Sequence, residues 1–149
     1  MLASLLIAAV SGMRAMTPLA TVANAARRGE LPRGGGAPAL LAHPLVSAGT
    51  LALAAGELAG DKMKTAPDRI ILPGMVARVA TGAFAAASLA PRRQRTLAAV
   101  LGAGVAAGAS YLTFRARAAA MRRYGQTATG VVEDAIALGT AAVAVRVAR

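Results

Sequence analysis

Ionisable residues inside long apolar runs are the first feature of this sequence that could carry chemistry. Arg14 and Arg78 each lie within an apolar run, and Glu57, Glu133 and Asp134 lie within or near the ends of others. A charged side chain near the centre of a membrane helix costs at least about 2.5–3.5 kcal/mol, so such residues usually pair or line a polar cavity. The sequence therefore predicts an internal polar network.

The acidic members occur in pairs. Glu57 and Asp61 are four residues apart, so a helix would place both carboxylates on one face. We expect Arg14 and Arg78 to hold an anionic group or to neutralise a carboxylate. The acidic residues would instead bind a cation or a proton. The predicted substrate- or ion-binding residues are Arg14, Glu57, Asp61, Lys62, Arg78, Glu133 and Asp134. The alternative is that these residues form structural ion pairs that only lock the helices together.

Several kinds of catalytic site are excluded by residue type. The chain has no cysteine and one histidine, so it cannot build a disulfide framework, a thiol nucleophile or a His-rich metal site. The Glu-x-x-His pairs of di-iron helix bundles are absent, and no nucleophile and base can be named as a triad. We therefore predict that the protein is not an enzyme and uses no metal or cofactor.

The composition is that of helices packed in lipid. Hydrophobic residues make up 56% of the chain, above the roughly 45–50% of soluble domains, while aromatic residues are only 3%. Most of the excess is Ala, Leu, Val and Gly, and small residues let membrane helices approach closely. The continuous Ala-rich runs have no period-2 alternation, which favours helices over a barrel. The prediction is an all-α, polytopic transmembrane bundle.

Five apolar runs can be compared with the ~20 residues of a spanning helix. They cover roughly residues 2–26, 39–59, 70–90, 96–114 and 129–145, within a single domain over 1–149. The first run resembles a signal peptide, but no positive charge precedes it and Arg14 follows its apolar half. We therefore interpret it as a retained span, interrupted around 12–18.

Basic residues cluster between the runs, and the formal net charge is +11. Such clusters cap membrane spans and meet anionic lipid headgroups, and no aromatic residues interleave them as in a nucleic-acid interface. With five alternating spans, seven basic residues fall on one side and eight on the other, so the positive-inside rule gives no orientation. Either copies insert in both orientations, or the second and third runs do not both cross and instead form a re-entrant or broken helix pair, which gives about four to five spans in all. We favour the second, around 60–69.

Glycine spacing predicts close helix packing. Gly104 and Gly108 form a GxxxG pair in the fourth run, and Gly56 and Gly60 form a less central one. Small residues at this spacing bring two helix backbones together, either inside one protomer or between two copies. No strand precedes the glycines, so they do not indicate a dinucleotide-binding loop.

The pattern of these motifs resembles a family of small bacterial membrane proteins catalogued as a domain of unknown function. The matching segments are Gly12-Met13-Arg14, the Glu57-x-x-x-Asp61-Lys62 segment before Pro67, Arg78 with Gly82, and Glu133-Asp134 after a Gly-rich helix. The resemblance covers nearly the whole chain. It implies a multi-pass protein of the bacterial inner membrane with a compact multi-helix fold, and it implies no substrate.

The leading functional hypothesis is a small transporter or channel-like permease with a charged intramembrane site. Because few helices are available to enclose a pathway, we expect a homo-oligomer, for example a dimer. A cation, a proton-coupled solute or a phosphorylated lipid would each fit as the unknown solute. The alternative is a structural or lipid-organising membrane protein whose ion pairs only fix helix packing.

Overall fold

The computed structural model describes residues 1–32, 34–60 and 72–149, and this part of the chain contains six α-helices and no β-strand. The helices are α1 (Leu2–Met13), α2 (Met16–Arg27), α3 (Pro44–Gly60), α4 (Leu72–Leu89), α5 (Arg95–Tyr124) and α6 (Gln126–Ala148). Short 3-10 turns at Ala39–Ala42 and Arg92–Gln94 precede α3 and α5. The predicted all-α class is confirmed.

The helix bounds differ from the apolar runs in two places. The run over 2–26 is divided into α1 and α2, so it is two short helices instead of one rod. The run over 96–114 is only part of α5, which continues through the following basic residues to Tyr124 and ends at Gly125. Gly125 has a φ of 82°, a left-handed conformation that favours glycine and starts α6 in a new direction.

Local sequence explains the break between α1 and α2. Arg14 is extended, with φ −140° and ψ 116°, and its N–H still bonds to the carbonyl of Val10. Pro18 cannot donate a backbone hydrogen bond, so it is best tolerated in the first turn of a helix. In the structure Pro18 lies in the first turn of α2, which begins at Met16. The proline therefore fixes where a new helix must start.

Contacts at both ends show that α2 and α6 run in the same direction. At the beginning of α2, Arg14 hydrogen-bonds Asp134 of α6. Just beyond the other end of α2, Glu30 forms an ion pair with Arg149 at the end of α6, with 2.9 Å between oxygen and nitrogen. The segment after α2 also lies beside the α4–α5 connection, because the N–H of Gly36 donates to the carbonyl of Ala90 at 2.9 Å.

Burial indicates that α1 and α2 form a helical hairpin with Arg14 at its tip. The fully buried residues of α5 all lie between Ala98 and Ser110, the half of α5 that follows the α4–α5 connection. Helix α1 is buried along its length and packs against α4, α5 and α6. Because α1 fills the same half of the bundle as α2, the two helices lie side by side instead of end to end.

Helix backbones in the core approach one another most closely at glycine residues. A Cβ added to Gly12 would lie 2.5 Å from Cβ of Ala109, and one added to Gly82 would lie 2.6 Å from Cβ of Ala106. A Cβ added to Gly102 would similarly lie 2.6 Å from Cβ of Ala86. These three glycines bring α1, α4 and α5 together.

The GxxxG pair expected in the fourth run is on another face of α5. Apart from the neighbouring backbone of α5 itself, no atom of the described residues lies within 4 Å of a Cβ built on Gly104 or Gly108. Packing inside the protomer therefore uses Gly102, and contact between copies through Gly104 and Gly108 stays a prediction. The close-packing role of Gly12 and Gly82 was not anticipated from the sequence.

Large apolar side chains lie outside and a charged one lies inside. Among the described residues, Arg14 has the largest fully buried side chain, whereas Leu45, Leu72 and Leu112 are 76%, 76% and 68% exposed. Two stretches, Leu72–Leu89 and Arg92–Tyr124, are long and apolar enough to cross a membrane. Proteins in water seldom bury an arginine completely or leave so many large apolar side chains exposed, so this combination is unusual for a domain in water.

We expect Gly12→Ala to destabilise the fold by about 1–3 kcal/mol, because the new methyl group would meet the backbone of α5 at Ser110. Gly139→Ala in α6 is the matched control, since nothing lies within 4 Å of a Cβ built at that position. Thermal unfolding of both variants in detergent, followed by circular dichroism, measures the difference. Equal melting temperatures would contradict the close approach of α1 and α5.

Candidate functional site

Arg14 reaches from the hairpin tip to α6. Its side chain is fully buried, and its Nε donates to Oδ1 of Asp134 at 2.8 Å. A terminal guanidinium nitrogen donates to the same oxygen. Charge-assisted hydrogen bonds are strengthened where water is excluded. The pair therefore fixes the tip of the hairpin against α6.

Glu133 links two arginines on different elements. Its Oε2 accepts from Nη1 of Arg117 on α5 at 2.6 Å, and the same oxygen lies 3.9 Å from Nη2 of Arg14. The Arg117 and Glu133 side chains are only 9% and 11% exposed. The hairpin tip, α5 and α6 are thus joined through one connected set of charges.

Glu57 of α3 hydrogen-bonds to the backbone just after the hairpin tip. One carboxylate oxygen accepts from the N–H of Ala15 at 2.7 Å, and the other accepts from the N–H of Met16 at 2.8 Å. These N–H groups lie at the start of α2, where backbone donors have no partner inside the helix and the helix dipole is positive. The carboxylate therefore occupies a ready-made anion position.

Arg78 adds a third arginine. It lies on α4, is 6% exposed, and interacts electrostatically with Glu57 and Glu133. Its position is held by Ser11, whose hydroxyl donates to the Arg78 carbonyl at 2.7 Å and lies 2.7 Å from the hydroxyl of Thr81. These residues form what we call the charge cluster, which has three cations and three anions: Arg14, Arg78, Arg117, Glu57, Glu133 and Asp134.

The cluster brings together five of the residues singled out from the sequence. They are Arg14, Glu57, Arg78, Glu133 and Asp134. Asp61 and Lys62 lie outside the described residues.

Arg117 is not predicted as a site residue from the sequence, because it lies in the basic segment between the fourth and fifth apolar runs. The sequence does contain a feature that could have predicted its ion pair: Arg117 and Glu133 lie at equal sequence distances on either side of Gly125. Recognising Gly125 as the turn of an antiparallel helix pair would therefore have paired them.

A cavity of about 640 Å³ lies between α2, α3 and α6. Its inner end is lined by Thr17 and Leu58, the chain neighbours of Met16 and Glu57. Its outer end is lined by the exposed Arg28 and Arg146, together with the Glu30–Arg149 ion pair. The cavity thus extends along α2 from a basic mouth to the residues next to Met16 and Glu57 in the chain.

A second cavity, of about 530 Å³, lies between α5 and α6. The Arg117–Glu133 pair and Met13 line one part of it, and Tyr124 and Ala128 line another. The α6 residues that line the second cavity come from the first half of that helix, whereas those that line the first cavity come from its second half. The charge cluster therefore lines the second cavity through Arg117 and Glu133, and the first cavity ends at the chain neighbours of Met16 and Glu57.

The cluster is built from ion pairs and backbone donors. Within the three described ranges, no group of three or more His, Cys, Asp or Glu side chains is arranged to hold a metal ion. The chemistry available to the described residues of the cluster is the binding and exchange of charged groups.

We expect Asp134→Asn to destabilise the protein by about 3–5 kcal/mol, because it leaves the buried guanidinium of Arg14 without its main counter-charge. Glu30→Gln removes an ion pair at a partly exposed site, where such pairs contribute about 0–1 kcal/mol, and it serves as the control. Denaturant unfolding in detergent provides the comparison. The assigned role of the pair would be wrong if both variants lost equally little stability.

Comparison with known proteins was made over the whole chain. The family described as Domain of unknown function (DUF4126) matches residues 1–148. No curated protein and no solved structure matches.

Proposed function

The chain belongs to the DUF4126 family, and we propose that it is a small membrane permease with a charged site at membrane depth. The observation that carries the proposal is a buried charge cluster that lines the second cavity through Arg117 and Glu133, while the first cavity ends at the chain neighbours of Met16 and Glu57. Buried ionisable groups that line or separate cavities are typical of substrate and ion pathways. The proposed setting is the inner membrane of a bacterium.

The membrane setting is supported by the distribution of side chains. Exposed leucines and buried arginines are stable when hydrocarbon surrounds the protein. Helix lengths agree with this for the two apolar candidates: α4 has 18 residues and α5 has 30, which at 1.5 Å per residue give about 27 and 45 Å against a hydrocarbon core of ~30 Å. We propose a multi-pass arrangement of four to five membrane segments.

The α1–α2 hairpin fits the same setting as a re-entrant element. Each of its helices has 12 residues and is about 18 Å long, which is too short to cross the hydrocarbon core. Its extended tip at Arg14 is buried by protein, which is the condition for non-helical backbone at membrane depth. In transporters, such helix ends bind substrates near the middle of the bilayer.

The ion pairs would act as the closed gate of this pathway. Arg117 and Glu133 line the second cavity, and Arg14 joins Glu133 and Asp134 to the hairpin tip, whose next helical residues reach the inner end of the first cavity. If α6 moved relative to the hairpin tip, these ion pairs would break and re-form with other partners. A solute bound in the first cavity could then pass to the second cavity. Both cavities are bordered by α6, so one helix could control access to both.

The proposed partners are lipids and a second copy. Basic residues at the ends of helices would contact anionic headgroups. The face of α5 with Gly104 and Gly108 is open in the protomer, and it would allow close contact with another α5 in a homodimer.

A structural or lipid-organising role is the second candidate, because two of the arginines already form direct ion pairs with carboxylates. In that case the cluster would only lock the bundle. The two candidates differ in whether neutralising Glu57 reduces solute flux in protein that is still folded.

We expect Glu57→Gln in proteoliposomes to reduce solute flux by at least tenfold while the protein remains folded, because the charge is lost but the side chain keeps its shape. The measurement is uptake of a panel of labelled cations, organic acids and phosphorylated compounds. Arg14→Lys keeps the buried positive charge opposite Asp134 but loses the forked donors, so it should also reduce flux in folded protein. Arg122→Gln, on an exposed part of α5, should leave flux unchanged. Wild-type flux in both cluster variants would favour the structural role.

A further inference from the structure

The beginning of α2 already binds a carboxylate, which is supplied by the protein itself. The two oxygens of Glu57 accept separately from two successive N–H groups, at 2.7 and 2.8 Å. Two donors matched to two oxygens fit a planar carboxylate well. Glu57 comes from α3, so it can be exchanged for another carboxylate without a change in the covalent structure of the hairpin.

A polar group beside this position is available for a ligand. Thr17 is 2% exposed and lines the inner end of the first cavity. Its buried hydroxyl has no hydrogen-bond partner among the described residues. Buried hydroxyls are normally hydrogen-bonded, so one at the inner end of a cavity points to a ligand that completes it.

The route to this position suits a small organic anion. Arg28 and Arg146 at the mouth attract negative charge, and the walls of the cavity are formed mainly by alanine, leucine and valine side chains. A volume of about 640 Å³ is in the usual range for a small-molecule site. A hydrated inorganic ion would gain little from these apolar walls, whereas the body of an organic acid would be desolvated against them.

We infer that the first cavity binds a carboxylate-bearing organic anion, whose carboxylate replaces that of Glu57 on the N–H groups of Ala15 and Met16. The inference rests on the proposed function and names its substrate class. The hydroxyl of Thr17 donates to the bound carboxylate, and the apolar part of the anion lies between Leu51 and Leu138.

Exchange of the two carboxylates also provides a release step. One negative charge leaves the start of α2 as another arrives, so the positive helix end is neutralised in both states. When Glu57 returns, it displaces the substrate. Glu57→Gln should therefore bind substrate more tightly and release it more slowly, which is consistent with reduced flux in this variant.

The test is equilibrium binding of benzoate to the purified full-length protein in detergent, measured by calorimetry. We expect saturable binding of benzoate but not of neutral benzamide. Glu57→Gln should bind benzoate roughly tenfold more tightly, because a neutral amide competes less well than a carboxylate for two N–H donors. Thr17→Val should bind it roughly tenfold more weakly, because the shape is kept and the hydroxyl is lost.

Controls separate the site from nonspecific charge attraction. Arg122→Gln should bind benzoate as the wild type does, whereas Arg146→Gln at the mouth should bind it more weakly. Inorganic phosphate tests the other oxyanion class; tighter binding of phosphate than of benzoate would overturn the assignment to carboxylates. Equal affinity of the wild type and Glu57→Gln would overturn the exchange.

The outcomes distinguish this inference from the proposed function. Benzoate binding with the expected variant pattern, but with no organic-acid flux in proteoliposomes, would support the site and refute the permease. Flux of a different solute, with no benzoate binding to the wild type or to Glu57→Gln, would support the permease and refute the carboxylate site.

Discussion

The buried guanidinium of Arg14 is the constraint on which the rest of this structure depends. A fully buried cation needs a counter-charge at hydrogen-bonding distance, and Asp134 of α6 provides it. This requirement fixes the position of the hairpin tip, and α6 in turn brings Glu133 to Arg117 of α5. One buried charge thus sets the relative positions of three elements.

Small residues make this arrangement sterically possible. Glycines at positions 12, 82 and 102 let α1, α4 and α5 pack at backbone distance, so the hairpin fits inside the bundle. Large apolar residues remain on the outer faces, where burial against protein cannot stabilise them. Such a surface needs an apolar solvent or an apolar partner. The same packing that buries the charges therefore favours a membrane environment.

The function we propose follows from a competition between internal and external ligands. Glu57 neutralises the positive start of α2 as a bound anion would, and it is adjacent to a cavity with a basic mouth. A site that is satisfied by its own side chain is stable when empty of solute, yet it can exchange that side chain for a similar group. The ion pairs on the other side of the tip would then separate the site from the second cavity.

The sequence by itself determined the helical class, the interruption of the first run, and five of the charged residues that form the cluster. These properties depend on local composition, on Pro18, and on the cost of charge within apolar runs. Only the tertiary structure decided that α1 and α2 lie side by side, that Arg117 belongs to the cluster, and that Gly102 carries the helix contact instead of Gly104. Those outcomes depend on which helix faces meet, and hydrophobic periodicity is weak in helices that are apolar on nearly all sides.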